Sequence, residues 1–279
     1  MHALPLTIAL IAAAALAPPL LRALEASERV RPNYCGRMLP FPLGALTLAA
    51  ALVALIPLAL LQRLGSGDVF HGEAGLVALY SLGVIGLGLL DDLLGTRPGE
   101  PSPRGLRGHG AAVLRGELST GALKAAGSLG LALFVMSFAL LSDGRWLLAS
   151  AVLVLATHLF NLLDLRPGRA TKALVILGVG LLVGSQDARP LWSLGLFAGP
   201  ALVAGAYDLR ERGMLGDSGA SLLGALAGLW MVLTLSGTGQ AIALAVLAAL
   251  TVYGELRSIS ALIERTGALR RLDSWGRPS

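Results

Sequence analysis

The chain has 279 residues, of which 55% are apolar and only 14% charged, with a mean hydropathy of +0.73 and a formal net charge of +5. Soluble domains carry about 25% charged residues, so there are too few polar side chains here to clothe a soluble protein of this size. The same balance excludes a disordered chain, and continuous rather than alternating apolar runs exclude an outer-membrane barrel.

A bilayer core about 30 Å thick needs about 20 apolar residues per helix. Runs of that kind predict nine spans, near 3–21, 41–62, 74–92, 120–141, 146–164, 170–184, 190–207, 217–235 and 239–256. The fold class expected is all-α, a polytopic transmembrane bundle forming one domain over 1–279. Its cytoplasmic segments would be about 22–40, 93–119, 165–169, 208–216 and the tail 257–279. The first run lacks a basic leader and an A-x-A site, and so reads as a retained helix rather than a signal peptide. The single cysteine, Cys35, leaves no partner for an internal disulfide.

Nine spans put the termini on opposite sides. With the N-terminus outside, 19 of the 22 Lys and Arg residues fall on one side, and only Arg63, Arg145 and Arg189 on the other. The positive-inside rule makes the basic side cytoplasmic. Membrane helices carry acidic residues at a cost, usually for function, and four stand at span ends on that basic side. Asp91 and Asp92 close the third span, Asp164 closes the fifth and Asp217 opens the eighth.

Oxygen ligands gathered from three helices suit Mg²⁺. Two adjacent carboxylates repel, so a cation or a shared proton would keep Asp91 and Asp92 together; alternatively they only mark a helix end. His158, Asn161 and Asp164 recur at three-residue spacing and would share a helical face. Asp217, followed by Ser218 and Gly219, reads also as a helix N-cap. Gly224 and Gly228 form a small-residue packing seam. The basic loop from Arg97 to Lys124, which includes His109, and the residues Arg166, Arg169 and Lys172 are candidates for phosphate contact. Anchoring to anionic headgroups is the competing reading, preferred for the tail. Pro167 suits the first turn of the next helix.

In this order the motifs NYCGRMLPFPLG (33–44), GLLDDLLG, HLFNLLDLRPGRA and GMLGDSGASLLG resemble those of the polyprenyl-phosphate N-acetylhexosamine-1-phosphate transferase superfamily. This is glycosyltransferase family 4, which contains the MraY and WecA types. The resemblance implies an enzyme that transfers a phospho-sugar from a UDP-N-acetylhexosamine to a polyprenyl phosphate such as undecaprenyl phosphate. UMP is released, Mg²⁺ is required, and the product serves cell-envelope polysaccharide or peptidoglycan precursor synthesis. Asp91 and Asp92 match the paired catalytic aspartates, and Asp217, with Asp92, the metal-associated position. Asn161 and Asp164 match the nucleotide-sugar segment, with His158, Arg166 and Arg169 beside them, and Lys124 matches a basic residue after the second cytoplasmic loop. The implied partners are the UDP-sugar, the polyprenyl phosphate and membrane lipids, with no nucleic acid; a homodimer is compatible.

The chain departs from that pattern at Pro167, where the second motif aspartate would stand, at His158 in place of an asparagine, and at Gly95. It has no C-terminal histidine loop and no tenth span. Two other readings follow: a non-catalytic relative that binds nucleotide-sugar or lipid phosphate, and a transporter relaying protons through its carboxylates. The transporter reading has the acids at one face, whereas transporter sites lie near the midplane.

Overall fold

The computed structural model describes residues 1–65, 67–95 and 120–278. The expected basic loop, with Arg97, Arg104, Arg107, His109 and Arg115, lies outside these residues. Among them, eleven helices and one short hairpin follow one another: α1 Leu4–Ala26, β1 Val30–Pro32, β2 Met38–Pro40, α2 Gly44–Leu64, α3 Ala74–Leu94, α4 Thr120–Ser137, α5 Asp143–Leu163, α6 Arg169–Ser185, α7 Arg189–Leu209, α8 Gly216–Thr234, α9 Gly237–Leu256, α10 Ile259–Arg265 and α11 Gly267–Ser274.

Eight of the helices, α1 to α5 and α7 to α9, are long and apolar enough to cross a membrane. The chain is therefore a multi-pass, all-α membrane bundle. With 17 residues, α6 is shorter than the roughly 20 a bilayer core asks for. Proline occurs inside α1 (Pro18, Pro19), α2 (Pro57) and α7 (Pro200), as neighbouring helices in a membrane bundle permit.

The core is organised around α8. Its central stretch is 78% buried, against 17% for α9 at the periphery. Small residues make this possible. At Gly224 an added Cβ would stand 2.6 Å from Thr157 Cα and 2.7 Å from the Ala156 carbonyl, and at Gly228 3.1 Å from Leu153 Cα. The glycine seam of the sequence therefore packs α8 directly on the α5 backbone, with no room for a side chain. Elsewhere apolar residues such as Ile56, Phe134, Val179 and Ile242 point outward. A helix apolar all round suits a lipid surrounding.

The hairpin was not expected. Its antiparallel strands pair Val30 with Pro40 and Pro32 with Met38. The turn is built by Asn33, whose Oδ1 accepts from the Cys35 and Arg37 amides at 2.9 Å each, with Gly36 at φ +82°. Such side-chain-to-backbone bonds make Asn a turn former. Beyond β2 the chain ties to the segment before α8: Met214 N donates to the Pro40 carbonyl and Leu43 N to the Met214 carbonyl, both at 2.9 Å.

Two local expectations are corrected. Pro167 lies outside α6, which begins after Gly168, a left-handed residue at φ +72°. At that position a Cβ would strike the Leu209 side chain. Asp217 is not the cap of α8 but lies in its first turn; the cap comes from another helix.

Candidate functional site

Alternating helix directions bring the C-termini of α3, α5 and α7 to the same end of the bundle as the N-termini of α4 and α8. There the Lys124 ammonium, from the first turn and a half of α4, joins three other helices. It donates to Asp217 Oδ1 on α8 at 2.6 Å and to Asn161 Oδ1 on α5 at 3.2 Å, and stands 3.3 Å from Asp91 Oδ2 on α3. Asn161 is fixed by its own amide, which donates at 2.8 Å to the Thr157 carbonyl and to Ser221 Oγ. Lys124 and Asp91 are largely enclosed, whereas the Asp217 side chain is 42% exposed. The cluster therefore opens to solvent on the Asp217 side.

Asp92 does something different from Asp91. Its Oδ1 accepts from the Asp217 amide at 2.8 Å, and its Oδ2 from the Ser218 amide at 3.0 Å and Ser218 Oγ at 2.6 Å. A buried carboxylate on α3 thus caps the first turn of α8, meeting the donors that a helix start leaves free and the positive end of its dipole. Adjacent helical residues diverge by about 100°, which is how the two aspartates avoid each other without sharing a cation. Gly88 and Gly44 allow the approach. A Cβ on Gly88 would stand 2.6 Å from Ser218 N and 2.8 Å from the Asp217 carbonyl, and one on Gly44 2.8 Å from Gly219 N.

The expected face of His158, Asn161 and Asp164 is divided. His158 turns to α9, where its Nε2 lies 3.1 Å from Glu255 Oε1. Asp164 sits past the last turn of α5. Burial, and then the carboxylates of Asp208, Asp217 and Asp92, push its carboxyl well above the usual range. The flanking cations are engaged by the chain's own acids and carbonyls. Arg166 bonds Glu264 at 2.8 Å and lies over the Tyr34 ring. Arg169 is buried and grips Asp273 through two nitrogens, at 2.9 and 3.1 Å, with its third on Ser260 Oγ at 2.9 Å. Lys172 donates to the Leu272 and Asp273 carbonyls. Arg277 joins Asp273 to the Pro167 carbonyl. The tail, expected as a headgroup anchor, is in part a strap across the α5–α6 turn.

Two buried acids escaped the sequence reading. Asp208 is buried at the end of α7 and accepts from the Gly168 amide at 2.7 Å, closing the α6 start as Asp92 closes α8. It directly follows the seventh expected span, so the criterion that singled out Asp91 reaches it too. Glu211, buried at φ +52°, accepts from Asn33 Nδ2 at 3.0 Å and the Tyr34 hydroxyl at 3.2 Å. Set between Arg210 and Arg212, it carries no signal in the sequence.

Among the described residues, no three His, Cys, Asp or Glu side chains converge closely enough to hold an ion alone. Mg²⁺ commonly takes one or two carboxylates and fills its octahedron with water and substrate phosphate. Asp91 and Asp217 with the Asn161 carbonyl form such an oxygen set, and these oxygens already surround one cation, the Lys124 ammonium. Asp92 does not fit as a ligand, since both its oxygens serve α8. Neither the protein-family models nor the curated proteins include a match to this chain.

Proposed function

We propose that the chain is a phospho-N-acetylhexosamine transferase that takes a UDP-sugar and polyprenyl (undecaprenyl) phosphate as substrates. It lies in the cytoplasmic membrane with nine spans, counting α6, its N-terminus outside and its tail and site on the cytoplasmic face. One observation supports this above the rest: Lys124 draws Asp91, Asn161 and Asp217 from three other helices into a cluster open on one side. A singly protonated acceptor phosphate attacking a diphosphate must give up its proton as the new P–O bond forms and UMP leaves, and it needs charge neutralisation and in-line placement above all. Asp91, free of backbone duties, is the carboxylate placed to take a proton from the acceptor phosphate. Lys124 offers the positive charge toward the transferred phosphoryl group, and Asn161 fixes where that charge sits. Asp92 is a positioning residue that sets Asp217 through the α8 backbone. Mg²⁺ would be held by Asp217 with the Asn161 carbonyl, leaving Asp91 as the base, and would supply neutralisation of the diphosphate charge.

A second reading, binding of nucleotide-sugar or lipid phosphate without turnover, draws on the pairing of Arg166 with Glu264 and Arg169 with Asp273, which uses cations a phosphate would otherwise find. The test is UMP release by the purified protein with undecaprenyl phosphate, Mg²⁺ and a panel of UDP-sugars. Turnover with at least one sugar, lost in Asp91→Asn and Asp217→Asn at unchanged melting temperature, is the expected result. Saturable lipid-phosphate binding with no UMP from any sugar supports the second reading, and full activity in both variants overturns the first.

A further inference from the structure

At the end of the bundle opposite the carboxylate cluster, two cavities adjoin. The larger, of about 290 Å³, is walled mainly by apolar side chains, among them Leu55, Phe70, Trp192 and Phe197. It starts at the helix-start layer of α3 and α7 and reaches Phe197, eight residues into α7, a depth of about 12 Å at 1.5 Å per residue. The smaller, of about 80 Å³, is polar and is lined by Glu73, Asp187 and Arg189. Ser193, 5% exposed, lines both and stands between them.

The charges at this rim are unevenly satisfied. Arg189 is forked onto Asp187 at 2.7 to 3.1 Å. The Glu73 side chain has a 3.5 Å contact from Ser193 Oγ and shares the charge of Arg189 without a direct ion pair among the described residues. In the wall of the larger cavity the buried His71 Nε2 has no hydrogen-bond partner. An apolar slot at membrane depth, with a polar atom in its wall and a polar chamber at its mouth, has the form of an amphiphile. Its volume lies at the lower end for small-molecule sites, enough for part of one chain rather than a whole lipid. Glu73 and Asp187 share the one Arg189 guanidinium, so the chamber lining carries an excess negative charge that favours a cationic group.

We propose that this pair of cavities binds one zwitterionic aminophospholipid from the leaflet opposite the candidate site. One acyl chain enters the slot beside Trp192, and the headgroup ammonium pairs with Glu73. Arg189 faces the phosphate. An anionic headgroup without an ammonium would meet the chamber's excess negative charge and be disfavoured. The site does not depend on the transferase reading and is tested without turnover.

The test is native mass spectrometry of the full chain released from mixed micelles with equal phosphatidylethanolamine, phosphatidylglycerol and phosphatidylcholine. One retained phosphatidylethanolamine is expected, about fivefold over phosphatidylglycerol, the range of a single partly exposed ion pair. Glu73→Gln, at an exposed position, should erase that preference. Ala78→Phe, filling the slot from α3, should remove the adduct. Gly75→Leu, at a wall position where an added Cβ meets nothing within 4 Å, is the second filling variant should the first disturb folding. Equal retention of the ethanolamine and glycerol lipids overturns the proposal. So does an adduct that persists in a filled variant with the wild-type melting temperature, or a preference unchanged in Glu73→Gln.

Discussion

The two ends of the bundle use charge in opposite ways. At the site end, Asp92, Lys124, Arg169, Asp208 and Glu211 are buried or nearly so, and each bonds a residue at least 37 positions away in sequence. At the other end the ionic contacts are local and exposed, as in Arg189 with Asp187 two residues before it. Local pairs in water add little to stability, whereas buried polar groups whose partners come from separate helices must all be in place at once. The charges of the site end therefore hold helix termini in register, and the few charges of the far end leave its cavities to be shaped by packing.

If that contrast is sound, its greatest effect is at Asp92. Asp92→Ala leaves the Asp217 and Ser218 amides and the Ser218 hydroxyl without an acceptor. Each stranded buried donor costs about 1–3 kcal/mol, so a loss of several kcal/mol is expected, seen as a fall in melting temperature in detergent. Asp92→Asn retains one acceptor oxygen and should fall between the two. A melting temperature for Asp92→Ala equal to wild type would remove the cap from the account of this end. Gly88→Ala should act on the same joint from the other side, because the new Cβ would press on α8 backbone atoms that have no rotamer to yield.

The helices were largely legible because membrane spans declare themselves by length and apolarity, and the α5–α8 seam because Gly224 and Gly228 recur at a helical interval. The convergence of Asp91 and Asp217 could be anticipated from their span ends alone. What could not be read was the use of each carboxylate. Asp91 and Asp92 are chemically identical neighbours, and only the direction of their side chains sends one to Lys124 and the other to a foreign helix start. Arg169 looked like a phosphate ligand because its partner, Asp273, lies 104 residues on. The hairpin at 30–40 has strands of three residues, too short for periodicity to register, although Asn33 and Gly36 mark its turn.

A smaller effect is expected where the tail meets the bundle. Burial opposes ionisation of Asp273, but the hydrogen bonds and charges of Arg169 and Arg277 outweigh it and hold its carboxyl below the usual range. A depressed folded value means that the docked strap gains stability above the unfolded carboxyl value of about 3.9. That stability is lost as pH falls from there through the lower folded value. Asp273→Asn should remove this gain at neutral pH, at a cost of about 1–3 kcal/mol, the range for a buried group left short of a partner. Protease cleavage after Arg265, Arg270 or Arg271 measures it directly. Wild type should be resistant at pH 7 and the variant cut faster, whereas equal cleavage would show that Asp273 does not hold the strap.

The smallest effect belongs to the far end, where Asp187→Ala sharpens the contrast by changing almost nothing. The Arg189 guanidinium beside it holds the Asp187 carboxyl below the usual range through hydrogen bonds. Both side chains reach solvent, however, and Arg189 is 78% exposed. Water replaces the lost partner, the freed arginine regains rotamer entropy, and salt screens what remains. Melting temperature in lipid-free detergent should be indistinguishable from wild type at both 50 mM and 500 mM salt. A fall on the scale of Asp92→Ala would mean that this pair, too, holds α6 to α7, and that the two ends are built alike.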